Sequence, residues 1–555
     1  MKKNQLYLTC FLLFISVFAN SLILLAQNSQ KGSVFVETDG SSYITGEQVW
    51  VNIRVTNAVS GKLMNAGHIL YAALLDDAGL ATIQVRLNSE NGMASGYIPL
   101  PSSLVSGIYL VTLLTGDAEI SAPYKPVLIV NPNKPPVRPK DTVVDYSTIS
   151  KTTNANLVVQ PDNKQFEKRK KISIDVDAGE TGSSLLSMTI RRRDSLENFA
   201  DSLLSAVQIT ARQPGSAALA SWEGMMIRAR VYPSNGTNPA PNVRVFVSVT
   251  GTEARVAETV SDVNGDVQFL LPLLYADAQL VFTPLHTDNN QYRIEFNPDP
   301  LEKVEGIKLP PLVIPNYLAG PIRNRMIDAQ AQSSFRPEEK TALAVINPDT
   351  TDFYGKPDKR YLLDDYTRFP NMEEIITEFV VEIRIRKSKD GVELQALNSP
   401  YKKFFEQPAL VLIDGVPVTD VKQLLELDPL KLQSIDIVTH KYFIGKTSYP
   451  GVIHYKSYLG NLGGYTLPTD AAVYSFEGAQ LPKDYITPDY TKPGDLHIPD
   501  FRNLLYWAPV MVTDNKGKKR VELYGGDLEG SYKITVNGIS SSGKPLNGTA
   551  SIDIK

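Results

Sequence analysis

Gln48-Val49-Trp50-Val51-Asn52-Ile53-Arg54-Val55 is the stretch that decides how this chain folds. It is rich in β-branched and aromatic residues, and no helix-period stripe runs through it. Similar runs lie on both sides, at Val34-Phe35-Val36, His68 to Leu75 and Gly107 to Thr112. Turn dipeptides and tripeptides separate them: Asp39-Gly40, Ser60-Gly61, Asp77-Ala78-Gly79 and Asn91-Gly92. Short strands at regular spacing, without long amphipathic helices, predict a β-sandwich over residues 32–132. The segment Asn131 to Pro139 holds four prolines in nine residues and predicts a stiff linker, assigned to 133–165.

Further along, Lys171 to Val176 and Leu185 to Ile190 read as strands and Leu196 to Val207 as a short helix, giving a partial β segment over 166–215. The strand pattern returns from Met225, with Val243 to Val249 and Val267-Gln268-Phe269, and predicts a second sandwich over 216–296. Residues 297–360 are proline-rich and weakly periodic, so they read as a linker. A mixed segment, 361–465, combines helix-like Asn371 to Phe379 and Val421 to Leu427 with strand-like Val380 to Arg386, Leu410 to Ile413 and Ile435 to Val438. The tail, 466–555, is β again. The fold class expected is therefore mainly β: tandem sandwiches plus one small α+β domain.

The 555 residues are 43% hydrophobic and 21% charged, which fits globular domains rather than a disordered chain or a multi-span membrane protein. A net charge of −4 offers no cationic surplus for a phosphate backbone, so nucleic acid is not an expected partner. Lys2 and Lys3 precede an apolar stretch from Leu6 to Ala26. This reads as an export signal, residues 1–26, cleaved after Ala26; an uncleaved anchor helix is the alternative. The single cysteine, Cys10, lies inside that segment, so the exported chain has no disulfide, no thiol nucleophile and no thiolate metal site.

Two stretches resemble known families. Pro408 to Asp420, which contains Ile413-Asp414-Gly415-Val416-Pro417, followed by Ile435 to Val438 and Gly451-Val452-Ile453, resembles the plug domain of TonB-dependent outer-membrane receptors. The flanking Asp365 to Pro370 and Met372-Glu373-Glu374 are similar to a barrel-less version in large exported proteins of Gram-negative gut and gliding bacteria. Phe35 to Asp39, Tyr43 to Glu47, Ile98 to Pro101 and Ser106 to Tyr109 are similar to the second macroglobulin-type domain of α2-macroglobulin-like proteins. Residues 225–283 look like a carboxypeptidase-regulatory or macroglobulin sandwich, and the tail, with Tyr506 to Pro509 and Gly530 to Ile534, looks like the terminal sandwich of the same proteins. The departures exclude both parental activities. The chain after Tyr458 is too short for a receptor barrel, no TonB box is evident, and without cysteine no Cys-Gly-Glu-Gln thioester can form. The resemblance implies structural roles for Asp414, Gly415, Val416, Pro417 and Gly451.

No catalytic constellation stands out. The histidines, His68, His286, His440, His454 and His497, lack metal-ligand spacing and read as cross-strand or surface residues, and no metal or cofactor is expected. Asp262 to Asp266 has calcium-loop residues but reads better as a hairpin turn. Gly538 to Lys544 has phosphate-loop glycine and lysine spacing, yet Pro545 stands where a Ser or Thr is needed, so it too reads as a hairpin. Asp414 is expected to bond nearby backbone N–H groups, with a positive φ at Gly415. The basic runs Glu167 to Lys171 and Arg191 to Arg193 read as solvated strand ends. Asp-Ser/Thr triplets mark candidate O-glycosylation at Thr142, Ser195, Ser202 and Thr350.

The leading functional expectation is a non-enzymatic scaffold or adaptor of the cell envelope, periplasmic or associated with the outer membrane. Its partners would be envelope proteins, among them an outer-membrane β-barrel transporter or the TonB machinery, reached through the plug-like domain. The alternative is a glycan- or nutrient-binding envelope protein, with Tyr442, Tyr449, Tyr455 and Tyr458 as stacking candidates; a hydrolase is the third reading.

Overall fold

The structure is a computed structural model that describes residues 32–65, 67–114, 120–136, 156–207, 224–251, 255–275, 277–285, 291–297, 304, 306–307, 309–335, 351–389, 391–481, 483–492 and 497–555. The export segment, Thr142, Thr350 and His286 lie outside them. The chain is mainly β. It divides into two compact units: residues 1–220, 301–344 and 482–555 form one, and 221–300 with 345–481 form the other.

The first unit opens with a sandwich of strands from residues 32–130. Ser42–Ile44, Lys125–Val130, Gly107–Leu114, Ile69–Leu75 and Ala81–Glu90 follow one another in one layer. Met93–Pro99, Gln48–Asn57, Gly32–Thr38 and Ile120–Ser121 make the other, and Ala81–Glu90 joins the two. Val49, Val51, Ile53 and Val55 point into the core against Leu70, Leu74, Val111 and Ile129. The alternate residues Trp50, Asn52 and Arg54 are buried too. A second sandwich covers that face: Trp50 packs on Trp507, and Asn52 donates to the Pro509 carbonyl at 2.9 Å.

This second sandwich is assembled from two distant parts of the chain. Its smaller sheet orders Val158–Pro161, Lys171–Asp177 and Lys518–Tyr524. Its larger sheet orders Gln165–Phe166, Pro545–Ile554, Gly530–Ile539, Leu185–Arg192 and Leu504–Val512. Residues read as a linker end, a partial segment and a separate tail domain therefore share one core, with Ile174, Met188, Ile190, Val521, Tyr532 and Ile534 in it. Strand pairing across more than 300 residues leaves no local trace, which is why the sequence reading divides them. Helix α1 (Ser195–Ser205), capped by Asp194, and helix α2 (Ala319–Phe335) lie on the first sandwich. Leu196, Leu203, Leu318 and Ile322 cover Ile44, Ile108, Leu128 and Val130. Thus α2 occupies a stretch read as linker.

The second unit holds a seven-stranded sandwich. Met225–Pro233 lies between Asp266–Leu271 and Tyr292–Asn297. The facing sheet runs Arg255–Val260, Arg244–Val249, Asp277–Leu285 and Ala472–Glu477, the last strand coming from what was read as the tail. Asp262 to Asp266 turns between the two sheets rather than closing a hairpin; Asp262 Oδ1 accepts from the Asn264 and Asp266 N–H groups at 2.8 and 2.9 Å.

The α+β module has a five-stranded sheet ordered Lys359–Leu362, Leu432–Val438, Val452–Ser457, Leu410–Ile413 and Val416–Pro417. Helix α3 (Met372–Phe379), with Asn371 as N-cap, and the short α4 (Val421–Leu425) contribute Ile375, Ile376, Leu424 and Leu425 to its core. The other face of the sheet packs on the sandwich: Leu410, Leu412, Val438 and Val452 form one cluster with Phe246. The module and the 225–297 sandwich are one packed body, not beads on a linker.

Candidate functional site

Leu410–Ile413 is apolar and buried throughout, and Asp414-Gly415 reverses it. Both turn residues have positive φ, 44° and 84°, and Ile413 pairs directly with Val416. This is the two-residue hairpin geometry that Asp-Gly favours. The sequence pointed to positive φ at Gly415 alone, but this turn requires it at both positions. Pro417 sits on the sheet edge, where a missing N–H costs no ladder bond.

The Asp414 carboxylate reaches past its own turn. It accepts from the Ser457 N–H (2.8 Å), the Ser457 hydroxyl (2.6 Å) and the Leu462 N–H (2.7 Å). The expected bonds to adjacent backbone are replaced by ties to the far end of the neighbouring strand. The Gly415 carbonyl accepts from Ser248 Oγ at 2.8 Å, pinning the turn to the sandwich. Gly451, φ 89°, starts the Val452–Ser457 strand and accepts from the Leu410 N–H.

The Gly415 N–H donates to His454 Nε2 at 3.0 Å. Nδ1 therefore carries the ring proton and donates to the Tyr354 hydroxyl at 2.8 Å, which donates to Asp436 Oδ2 at 2.9 Å. Arg360 forks onto Asp436 with two 2.6 Å bonds, and Lys456 binds Asp352 at 2.6 Å. Burial lowers the His454 pKa to about 3, with Lys456 adding to the effect. Burial opposes the Asp436 charge, but Arg360, Lys456 and Tyr354 outweigh it and hold the carboxyl below its usual range. A neutral histidine with both nitrogens bonded and 1% exposure organises the sheet's interior. Of the two sequence readings, cross-strand or surface, the structure has the cross-strand one, with His454 opposite Asp436; nothing local in the sequence marks Tyr354 as its hydrogen-bond partner. His440 is exposed, 2.9 Å from Asp358.

The first unit has a second buried polar cluster, which the sequence reading missed. Arg191 is not solvated: it pairs with Asp39, donates to the Ser42 carbonyl at 2.9 Å and stacks over Tyr43. Burial pushes the Asp39 carboxyl up to about 6, against the pull of Arg191 and hydrogen bonds from Tyr43 and Trp50. Glu197 on α1 accepts from the Ser41 and Ser42 N–H groups at 2.7 and 3.1 Å, and Arg325 on α2 donates to Ser42 Oγ at 2.7 Å. One short loop of the first sandwich is thus clamped by the second sandwich and both helices. The Asp39-Gly40 turn signal located the loop, but not its partners.

Beside this cluster opens a cleft of about 550 Å³ between the two sandwiches, walled by residues 34–38, Lys125, Arg191, Lys533 and Asn537 among others. Ser195 is exposed at the first position of α1, and Ser202 is half-buried in its middle. Tyr455 is fully buried; the hydroxyls of Tyr442, Tyr449 and Tyr458 bond the Phe353 carbonyl, Glu258 and Asp364. Among the described residues, no group of three or more His, Asp and Glu side chains is placed to hold a metal ion.

The fold defines a mainly β protein of tandem sandwiches with one α+β module. By sequence the chain matches no protein-family profile and no characterised relative. Among solved structures it is similar to the α2-macroglobulin of Escherichia coli activated by porcine elastase, with 10% identity, a TM-score of 0.24 and cover of 94% of this chain and 44% of that one. Salmonella α2-macroglobulin reacted with methylamine gives 9% identity, a TM-score of 0.24 and cover of 94% and 39%. The Escherichia coli adhesin FdeC gives 13%, 0.14, and cover of 47% and 63%. The chain spans less than half the length of the macroglobulins it matches.

Proposed function

We propose that the protein is an exported, non-enzymatic interaction scaffold of the cell envelope, with the plug-like α+β module as its docking face. The partner class is an envelope protein, an outer-membrane β-barrel transporter or the TonB machinery. The supporting observation is the apolar surface at one end of the module. Leu430 and Leu459 are 66% and 77% exposed, and each is the chain neighbour of a residue in the Tyr458 N–H to Lys431 carbonyl bond, which ties their two segments together. Exposed leucines grouped in this way favour contact with another protein. Export rests on the Leu6 to Ala26 stretch; no described helix is long and apolar enough to cross a membrane.

The test is a photo-crosslinking amino acid placed at Leu459 in the full chain, expressed in the native envelope. The expected result is one discrete protein adduct, absent when the same group replaces Val59, which is 94% exposed on the first sandwich. Equal labelling from both positions, or none from Leu459, overturns the proposal.

A further inference from the structure

The Gly32–Thr38 strand has an open edge inside the 550 Å³ cleft. Its register with Gln48–Asn57 places Gly32 opposite Asn57 and Thr38 opposite Val51, and the Asp39 N–H continues the ladder to the Trp50 carbonyl at 3.2 Å. In an antiparallel ladder the bonding direction alternates, so the N–H and C=O groups of Val34, Val36 and Thr38 point away from that neighbour. On the other side only Ile120–Ser121 pairs, opposite Gly32 and Ser33. The chain then leaves the edge: Pro123 has no N–H, and its carbonyl is taken by Thr112 Oγ1 at 2.9 Å. Among the described residues, nothing claims the outward backbone groups of Val36 and Thr38.

The electrostatics of the same cleft are uneven. Its carboxylates are already engaged: Glu37 by Arg54, Asp39 by Arg191, Glu197 by the Ser41 and Ser42 backbone, and Asp201 by Ser41 Oγ and Arg193. Arg54, 3% exposed, still has its Nε and Nη1 donors without partners. Lys125 lines the cleft half-buried, with no carboxylate in ion-pair range among the described residues. Burial lowers its pKa, against the attraction of Asp201. An unclaimed strand edge and an unpaired ammonium in one cleft call for an extended chain that brings its own carboxylate.

We propose that this cleft receives an extended acidic peptide segment of a partner protein, which adds as a further strand along Val34–Thr38 and sets a carboxylate against Lys125. The proposal deepens the scaffold reading and rests on it for the partner being a protein. The probe is a fluorescently labelled heptapeptide of alternating valine and glutamate, with a valine–lysine counterpart, titrated by anisotropy against the full exported chain. The acidic peptide should bind and the basic one should not. Lys125→Gln should weaken binding about tenfold or more, and Thr38→Pro, which removes an outward N–H, should abolish it while the melting temperature stays at wild type. Glutarate should compete only at concentrations far above the peptide. Binding of both peptides alike, binding of neither, full binding by folded Thr38→Pro, or glutarate as potent as the peptide each overturns the proposal. A Leu430→Ser, Leu459→Ser double variant should bind the peptide normally, so failure of the module's docking role reads out separately.

Discussion

Replacing Asp414 tests how the α+β module is held together. Its carboxylate is 2% exposed and accepts three hydrogen bonds, from Ser457 N, Ser457 Oγ and Leu462 N. Asp414→Ala leaves the buried Ser457 N–H and the half-buried Leu462 N–H without their acceptor, at about 1–3 kcal/mol for a buried group and less for the other. It also places alanine at φ 44°, for roughly another 1 kcal/mol. The expected loss is about 4 kcal/mol. Asp414→Asn keeps one carbonyl oxygen and tolerates the left-handed turn, so about half that loss is expected. Hydrogen exchange on the full chain is the assay. In Asp414→Ala, amides of Leu410–Ile413 and Val452–Ser457 should exchange about a thousandfold faster, by the conversion of 1.4 kcal/mol per decade. The shared cluster around Phe246 predicts that amides of Arg244–Val249 follow. An asparagine variant as weak as the alanine one would sink the carboxylate argument. An unmoved Arg244–Val249 would sink the shared core.

Acid should weaken the second unit through His454. The native imidazole stays neutral down to about pH 3 while the unfolded one takes a proton near 6.5, so stability should fall by up to about 1.4 kcal/mol per pH unit between those values. Asp436, held below its usual range in the native state, adds a loss as pH drops further through the carboxylate range. Urea midpoints at pH 7, 6 and 5 check this, and an unchanged slope in His454→Gln would assign the effect elsewhere. Gly451→Ala puts a methyl 2.7 Å from Ala396 Cβ and 2.8 Å from the Val438 carbonyl at φ 89°, and should cost about 2–4 kcal/mol by urea titration. Deleting residues 530–555 should open the Leu185–Arg192 strand to protease while the 225–297 sandwich stays resistant; an intact 156–192 segment would contradict the split sandwich.

What the sequence disclosed follows from how local each signal is. Strand runs, turn dipeptides and the Asp414-Gly415 reversal are fixed by neighbours within a few residues, and they stand where β propensity and positive-φ chemistry put them. Pro321 and a weakly apolar face mask helix α2 in the sequence; Ile322, and Leu318 at its threshold, find their partners on the first sandwich and helix α1, far away in the chain. The buried cation at Arg191 was invisible for a similar reason. An arginine triplet reads as solvated unless the carboxylates facing it are known, and Asp39, Glu47 and Glu197 come from three other segments, two turns of the first sandwich and helix α1.

The Gln48 to Val55 strand carries that point into function. A strand covered on one face needs only half of its residues apolar, yet here both faces are buried, and the second face is filled by Trp50, Asn52 and Arg54 rather than by aliphatics. Each of the three finds a specific counterpart on the second sandwich, namely Trp507, the Pro509 carbonyl and Ser187 Oγ. Directional contacts of this kind fix register and spacing between layers, where an aliphatic face would tolerate sliding. The second sandwich in turn needs strands from residues 156–192 and 504–555. The walls of the Lys125 cleft are therefore set by pairings that close only when the last strand, Pro545–Ile554, has joined. A site built this way needs residues 504–554 as much as residues 32–38, because both supply the walls of the groove that holds the open edge at Val36 and Thr38.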